Sequence, residues 1–212
     1  MNLKNYYWYF QSALPHRICD EIIKYGSSQQ EKIALTGQQG NVDPNSLDDK
    51  DLKKLHKKRK SNVVWMNDRW IYKEIQPYIN MANVSAGWNF DWDWSESCQF
   101  TKYSGTKKQH YDWHCDSQES AYDRPNDPNI NGKIRKLSVT VSLVDGSEYE
   151  GGELEFDFRN NDDGSNIAHV CEKIRPKGSI VVFPSFVWHR VKPVTSGTRY
   201  SLVIWNLGRP YR

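Results

Sequence analysis

The sequence is poor in the features that mark membrane, disulfide-framework and repeat proteins. No stretch approaches the roughly 20 consecutive apolar residues of a membrane-spanning helix. The first residues, MNLKNYYWYFQSALP, lack the apolar core of a secretion signal. The four cysteines, Cys19, Cys98, Cys115 and Cys171, are far apart and form no Cys-x-x-Cys pair. That spacing excludes a four-cysteine zinc site and, without a secretion signal, predicts free thiols in a cytoplasmic protein (the host cytoplasm if virus-encoded). No internal repeat occurs at solenoid spacing. The net charge of +3 is a small excess and argues neither for nor against a nucleic-acid partner.

What is present is a chain of 212 residues with 9 Trp and 12 Tyr, enough to bury a core in one domain. A single domain over 1–212 is expected, with residues 1–95 a mainly helical support region and 96–212 a β core. Ile18, Cys19, Ile22 and Ile23 recur at helical spacing, with Pro15 before them and Gly26 after. This predicts an amphipathic helix over about 15–25. Residues 27–60 are polar and read as a surface loop or short helices. They end in DDKDLKKLHKKRK, either a solvated basic face or a hold for phosphate or an acidic partner. A second helix follows from Trp70 to Ala82, with Asn67 and Asp68 as candidate caps and Pro77 as a kink.

From residue 98 the texture changes. CQFTKYS, KLSVTVSLV, GELEFDF, SIVVFPS and RYSLVIWNL are short β-rich segments between Gly, Asp, Asn and Ser clusters. KLSVTVSLV alternates Leu137, Val139, Val141 and Leu143 with Ser138, Thr140 and Ser142. The second half therefore reads as an antiparallel sandwich or jelly roll, mainly β within an α+β chain.

The densest chemistry lies in QHYDWHCD, residues 109–116. On a strand, His114 and Asp116 share a face and Cys115 points the other way. A third ligand must come from elsewhere, and the candidates are His16, His56, His110, His169 and His189. His110 lies roughly 13 Å from His114 along an extended strand. His189 follows SIVVFPS at a strand end, where function often sits. Two histidines and an aspartate form the facial triad of non-haem Fe(II) oxygenases, and zinc can use the same three. Arg199 lies beyond Pro193 to Gly197; if those residues turn the chain, it returns on the adjacent strand, where it can hold a carboxylate in a two-pronged pattern.

These residues together resemble the 2-oxoglutarate- and Fe(II)-dependent oxygenases, specifically the prolyl 4-hydroxylase-like (PKHD-type) branch. The resemblance is carried by Tyr103 and Gly105, Tyr111-x-x-His114-x-Asp116, Gly151-Gly152-Glu153-Leu154, and His189, Pro193-Val194, Gly197, Arg199 and Trp205. RKSNVVWM, residues 59–66, resembles an upstream Arg-x-Ser stretch of the same family. The resemblance implies a double-stranded β-helix with helices packed on one side. It assigns His114, Asp116 and His189 to Fe(II). It gives Arg199 the distal carboxylate of 2-oxoglutarate, with Tyr103 hydrogen-bonding nearby and Trp205 lining the pocket.

The implied reaction is C–H hydroxylation, most readily of a prolyl residue in a peptide or protein. It consumes O2 and 2-oxoglutarate and yields succinate and CO2, with ascorbate as an accessory reductant. The resemblance points to neither a membrane nor a nucleic-acid substrate. Residues 117–136, with Pro125, Pro128 and Gly132, read as a mobile loop over the site mouth. Two other readings use the same trio: a zinc-dependent jelly-roll hydrolase or isomerase, and a jelly-roll binding module without chemistry.

Overall fold

The computed structural model describes residues 4–36, 46–117, 120–159 and 168–211. Three α-helices are present among them: α1 (His16–Ser27), α2 (Asp49–Lys58) and α3 (Arg69–Ser85). The first seven strands are β1 (Trp8–Phe10), β2 (Lys32–Ile33), β3 (Arg59–Lys60), β4 (Asn62–Met66), β5 (Trp94–Ser95), β6 (Cys98–Ser104) and β7 (His110–His114). The rest are β8 (Ile134–Ser142), β9 (Tyr149–Gly151), β10 (Leu154–Asp157), β11 (His169–Val170), β12 (Ile180–Pro184), β13 (Trp188–Val191) and β14 (Val194–Gly208). They form two antiparallel sheets. The larger runs β1-β12-β8-β14-β6-β4-β2, with β5 and β9 also on β14, and the smaller runs β11-β10-β13-β7-β3. The first 95 residues thus supply strands to both sheets as well as the helices.

Helices α1 and α3 pack on the outer face of the larger sheet, and α2 lies against β3 and β7 of the smaller one. Helix α3 buries Ile71, Ile75, Ile79 and Ala82, spaced four or three apart. Each fully buried isoleucine contributes roughly 1.5–3 kcal/mol. Pro77 does not end α3, which runs on to Ser85. Helix α1 likewise runs past Gly26. A Cβ there would lie 2.6 Å from the Phe100 ring, so glycine lets the helix settle on β6 rather than stop. Helix α2 starts where Asp48 accepts the Asp51 N–H at 2.7 Å, and it buries Leu55.

The alternation along β8 sorts its two faces in an unusual way. Leu137, Val139, Val141 and Leu143 join the core shared with α1 and α3. The polar set Ser138, Thr140 and Ser142 does not face solvent; all three are buried between the sheets. β14 and β6 follow the same rule. Leu202, Ile204, Cys98 and Phe100 meet the helices, while Arg199, Ser201, Thr101 and Tyr103 are buried and alternate with them. A polar cavity wall between two sheets is costly unless something polar occupies it. At one end the inter-sheet space closes over an apolar cluster that includes Phe156, Val181, Phe183 and Leu154.

All four cysteines are free, and burial pushes the Cys98 and Cys171 thiols up to about 12. No helix among the described residues is long and apolar enough to cross a membrane.

Candidate active site

β13 sets His189 directly opposite His114 of β7 in the antiparallel register, with ring centroids 4.2 Å apart. Asp116 arrives differently from the strand reading above. β7 ends at His114, and the chain bends so that the Asp116 and Ser117 N–H groups both donate to the Ser185 carbonyl at 2.9 Å. Ser185 belongs to the turn between β12 and β13, so the turn that presents His189 also holds Asp116. His114 Nε2 lies 3.7 Å from Asp116 Oδ1, and His189 Nε2 lies 3.6 Å from Oδ2. The three donor atoms fall within 4.8 Å of one another. Ligands about 2.1 Å from a shared ion require separations of this order.

The surroundings fix the orientation of both rings. His114 Nδ1 lies 2.8 Å from the Asp112 carbonyl and His189 Nδ1 lies 3.0 Å from the Val187 carbonyl. A carbonyl only accepts, so each Nδ1 carries the proton and each Nε2 lone pair is turned to the trio. Asp116 accepts from Ser138 Oγ at 2.7 Å, and Ser138 lies 3.0 Å from Ser185 Oγ. Two imidazole Nε2 donors and one carboxylate suit a divalent transition metal and leave coordination positions for small ligands.

Burial, reinforced by the facing His189, holds His114 well below the usual histidine range. Burial works to raise the Asp116 carboxyl, but His189, His114, Arg135 and the Ser138 hydroxyl outweigh it and the net direction is down. The consequence for stability has one sign. Below about pH 6.5 the unfolded His114 takes a proton that the folded one refuses, so the unfolded state binds more protons and stability falls. Asp116 acts the same way at lower pH, since its depressed value stabilises the fold only while it stays ionised. In chelator-treated protein the melting temperature should drop on acidification below about pH 6.5, and His114→Gln should flatten that drop. Thermal melts across the range check this; an equally steep profile in the variant would remove His114 as the cause.

The other histidines lie elsewhere. His16 begins α1 and His56 sits on α2. The His110 ring lies within 3.2 and 3.4 Å of the Lys108 and Lys57 carbonyls, and His169 stacks on Phe158 at 4.6 Å. Tyr111 stacks on His114 at 3.5 Å, and the buried Arg59 guanidinium covers its ring at 4.4 Å.

Arg199 does not return beside His189. The chain crosses after Val191 from the smaller sheet into β14 of the larger one, so Arg199 lies in the facing sheet, opposite Tyr103 of β6. Glycine makes the crossing possible: Gly197 has φ +68°, and a Cβ there would lie 2.1 Å from the Glu148 carbonyl oxygen. The Arg199 side chain is 3% exposed, donates to Ser201 Oγ at 3.2 Å, and stands 5.3 Å from the Tyr103 ring centroid. Among the described residues no carboxylate pairs with it. Trp205 is buried opposite Ser138, the serine bonded to Asp116, and its indole Nε1 has no hydrogen-bond partner among the described residues.

Sequence reasoning missed several neighbours. Arg135 makes two hydrogen bonds to Glu96, at 2.7 and 2.6 Å, and lies 4.0 Å over Trp205. Tyr122 also donates to Glu96, at 2.8 Å, which ties the 120–133 loop to this wall. The last three residues of the predicted loop, Ile134 to Lys136, belong to β8. The one signal for this wall was the polar half of the KLSVTVSLV alternation.

A family model for the 2OG-Fe(II) oxygenase superfamily matches residues 98–206, a span that contains the trio, Arg199, Tyr103 and Trp205. The chain belongs to this superfamily. Membership implies an oxidoreductase that uses Fe(II), 2-oxoglutarate and O2. It is similar to a PKHD-type hydroxylase of Synechococcus sp. (strain CC9902), with 36% identity over 96 residues. That match spans 45% of this chain and 35% of the relative, so the chain covers only about a third of the relative's length. Two solved structures share the fold. One is a Pseudomonas putida prolyl-4-hydroxylase (TM-score 0.61, 20% identity, 98% of this chain and 95% of that one). The other is a Trichoplax adhaerens prolyl hydroxylase in complex with a hypoxia inducible factor peptide fragment (TM-score 0.65, 17% identity, 96% and 84%).

Proposed function

We propose that this oxygenase hydroxylates a prolyl residue of a peptide or protein, with His114, Asp116 and His189 as the Fe(II) ligands and Arg199 as the anchor of 2-oxoglutarate. The observation that carries the reading is Arg199. A buried guanidinium with no carboxylate partner among the described residues is expensive. A dicarboxylate cosubstrate would supply the missing charge and accept two parallel hydrogen bonds. Tyr103, paired with Arg199 across the strands, walls the same space, and Trp205 closes the side toward Asp116. The donor set of the trio supports an open metal site rather than a closed structural one.

What the metal and cosubstrate supply when bound is activation of O2 coupled to decarboxylation, with succinate and CO2 as products. The chain's own part is to hold and to exclude. The carbonyls of Asp112 and Val187 keep both Nε2 atoms aimed inward, and the Ser138 hydroxyl and the Ser185 carbonyl keep Asp116 oriented. The aromatic side chains Tyr111, Phe183 and Trp205 limit water at the reacting centre. The proline assignment draws on the PKHD-type relative and on solved neighbours that are prolyl hydroxylases. It is tested by supplying Fe(II), 2-oxoglutarate and a proline-rich peptide library and reading succinate together with a 16-dalton gain on peptide. Peptide-dependent succinate with the gain on proline is expected. A gain on another side chain would replace the proline reading while leaving the oxygenase intact.

A further inference from the structure

The chain's positive charge is concentrated in one place. Seven basic and three acidic side chains fall in residues 48–60, so this segment carries +4 and all other residues together −1. In the structure it becomes α2 and β3. Leu55 faces inward, and Lys50, Lys53, Lys54 and Lys57 lie exposed along the outer face. The acids Asp48, Asp49 and Asp51 are confined to the first turn, where Asp48 caps the helix. Lys57 and Lys58 offset the carbonyl dipole of the last turn. Lys53 and Lys54 lie upstream of that turn and have no such role.

The basic face runs up to the active site. β3 pairs with β7, Arg59 against Tyr111 and Lys60 against His110. The Lys58 ammonium donates to the carbonyl of Trp113, the residue before His114. The His110 ring lies between the Lys57 and Lys108 carbonyls, which adds the exposed Lys107 and Lys108 to the same face. None of Lys53, Lys54, Lys57, Lys107 and Lys108 forms an ion pair with a described carboxylate, whereas Lys102, Lys133 and Lys177 each do. Among the described residues no large exposed aromatic side chain lies in 48–60 or 105–110. A single-stranded nucleic-acid groove normally offers stacking surfaces, so the patch fits an acidic polypeptide better.

We propose that the α2–β3 lysine face docks an acidic segment of the polypeptide substrate, beside the residue that is hydroxylated. This rests on the peptide-substrate reading above and adds a sequence preference to it. Ten helical residues span about 15 Å, a length covered by about five extended peptide residues. The acidic block therefore covers about five residues on one side of the target, and docking sets affinity rather than the chemical step.

The test uses the purified full chain and two fluorescein-labelled proline peptides, one with a glutamate block about six residues from the proline and one with glutamines there. Anisotropy titrations should show about tenfold tighter binding of the acidic peptide in low salt, an advantage that shrinks as salt is raised. Lys53→Gln/Lys54→Gln/Lys57→Gln should erase the advantage without changing the glutamine peptide's affinity. Charge reversal with Lys53→Glu/Lys57→Glu should favour a lysine-block peptide. Equal affinity for both peptides, or an advantage that survives the triple substitution, overturns the proposal. So does tighter binding of a single-stranded RNA through the same lysines. Binding is read without turnover, so a retained acidic preference alongside absent proline oxidation would sink the proline reading and leave the docking face standing.

Discussion

His189→Ala should cost the enzyme its metal chemistry while leaving its fold. The visible charge-transfer band expected of the wild type with Fe(II) and 2-oxoglutarate under anaerobic conditions should be missing, and succinate formation should fall by at least about 100-fold. The reason is geometric. His114 and Asp116 come from one end of β7, and only β13 brings a donor from the opposing strand. With Nε2 of His189 gone, only His114 and Asp116 would remain to hold the ion. Circular dichroism should be nearly unchanged, because His189 is held chiefly by its Nδ1 bond to Val187 and by an edge-to-face contact with Phe183 at 4.8 Å. A retained band with near-wild-type turnover would place the metal elsewhere.

Arg199→Ala should act on the cosubstrate rather than on the metal. The KM for 2-oxoglutarate should rise about 100-fold, since removing one partner of a buried charge pair costs 2–5 kcal/mol or more. Iron binding measured without 2-oxoglutarate should be unaffected. Arg199→Lys should recover little, because an ammonium is a point charge without the planar two-pronged donor pattern, and Ser201 and Tyr103 surround a guanidinium-shaped space. An unchanged KM would mean that the dicarboxylate is held by another cation. Arg135 is poorly suited to that task, as Glu96 already occupies two of its donors.

Much of this protein was legible as local pattern. The 3.6 period of Ile71, Ile75 and Ile79 specified α3, and the alternation of KLSVTVSLV specified β8. Hydrophobic periodicity is a property of neighbouring residues, so a sequence displays it directly. The close pair His114 and Asp116 and the glycines around Arg199 were likewise present in order and spacing, whereas the assignment of His189 as third ligand came from the family resemblance. Local pattern failed where a residue's role depended on distant chain. Gly26 reads as a helix stop, yet Phe100 of β6 makes it a packing residue. Ser138, Thr140 and Ser142 stand out as the polar half of the β8 alternation, but that they are buried depends on the second sheet.

What the sequence determined alone was the kind of chemistry: a two-histidine, one-carboxylate set and an arginine downstream, on strands suited to a jelly roll. Tertiary structure decided the geometry. It bent the chain after His114 so that the Ser185 carbonyl could hold Asp116, and it set His189 across from His114. It also sent Arg199 to the facing sheet and laid the α2 lysines along the rim. Each of these rests on strand pairing between segments far apart in the chain. Such pairing is fixed by the hydrogen-bond register and by the shared burial of two sheets, which no window of neighbouring residues contains.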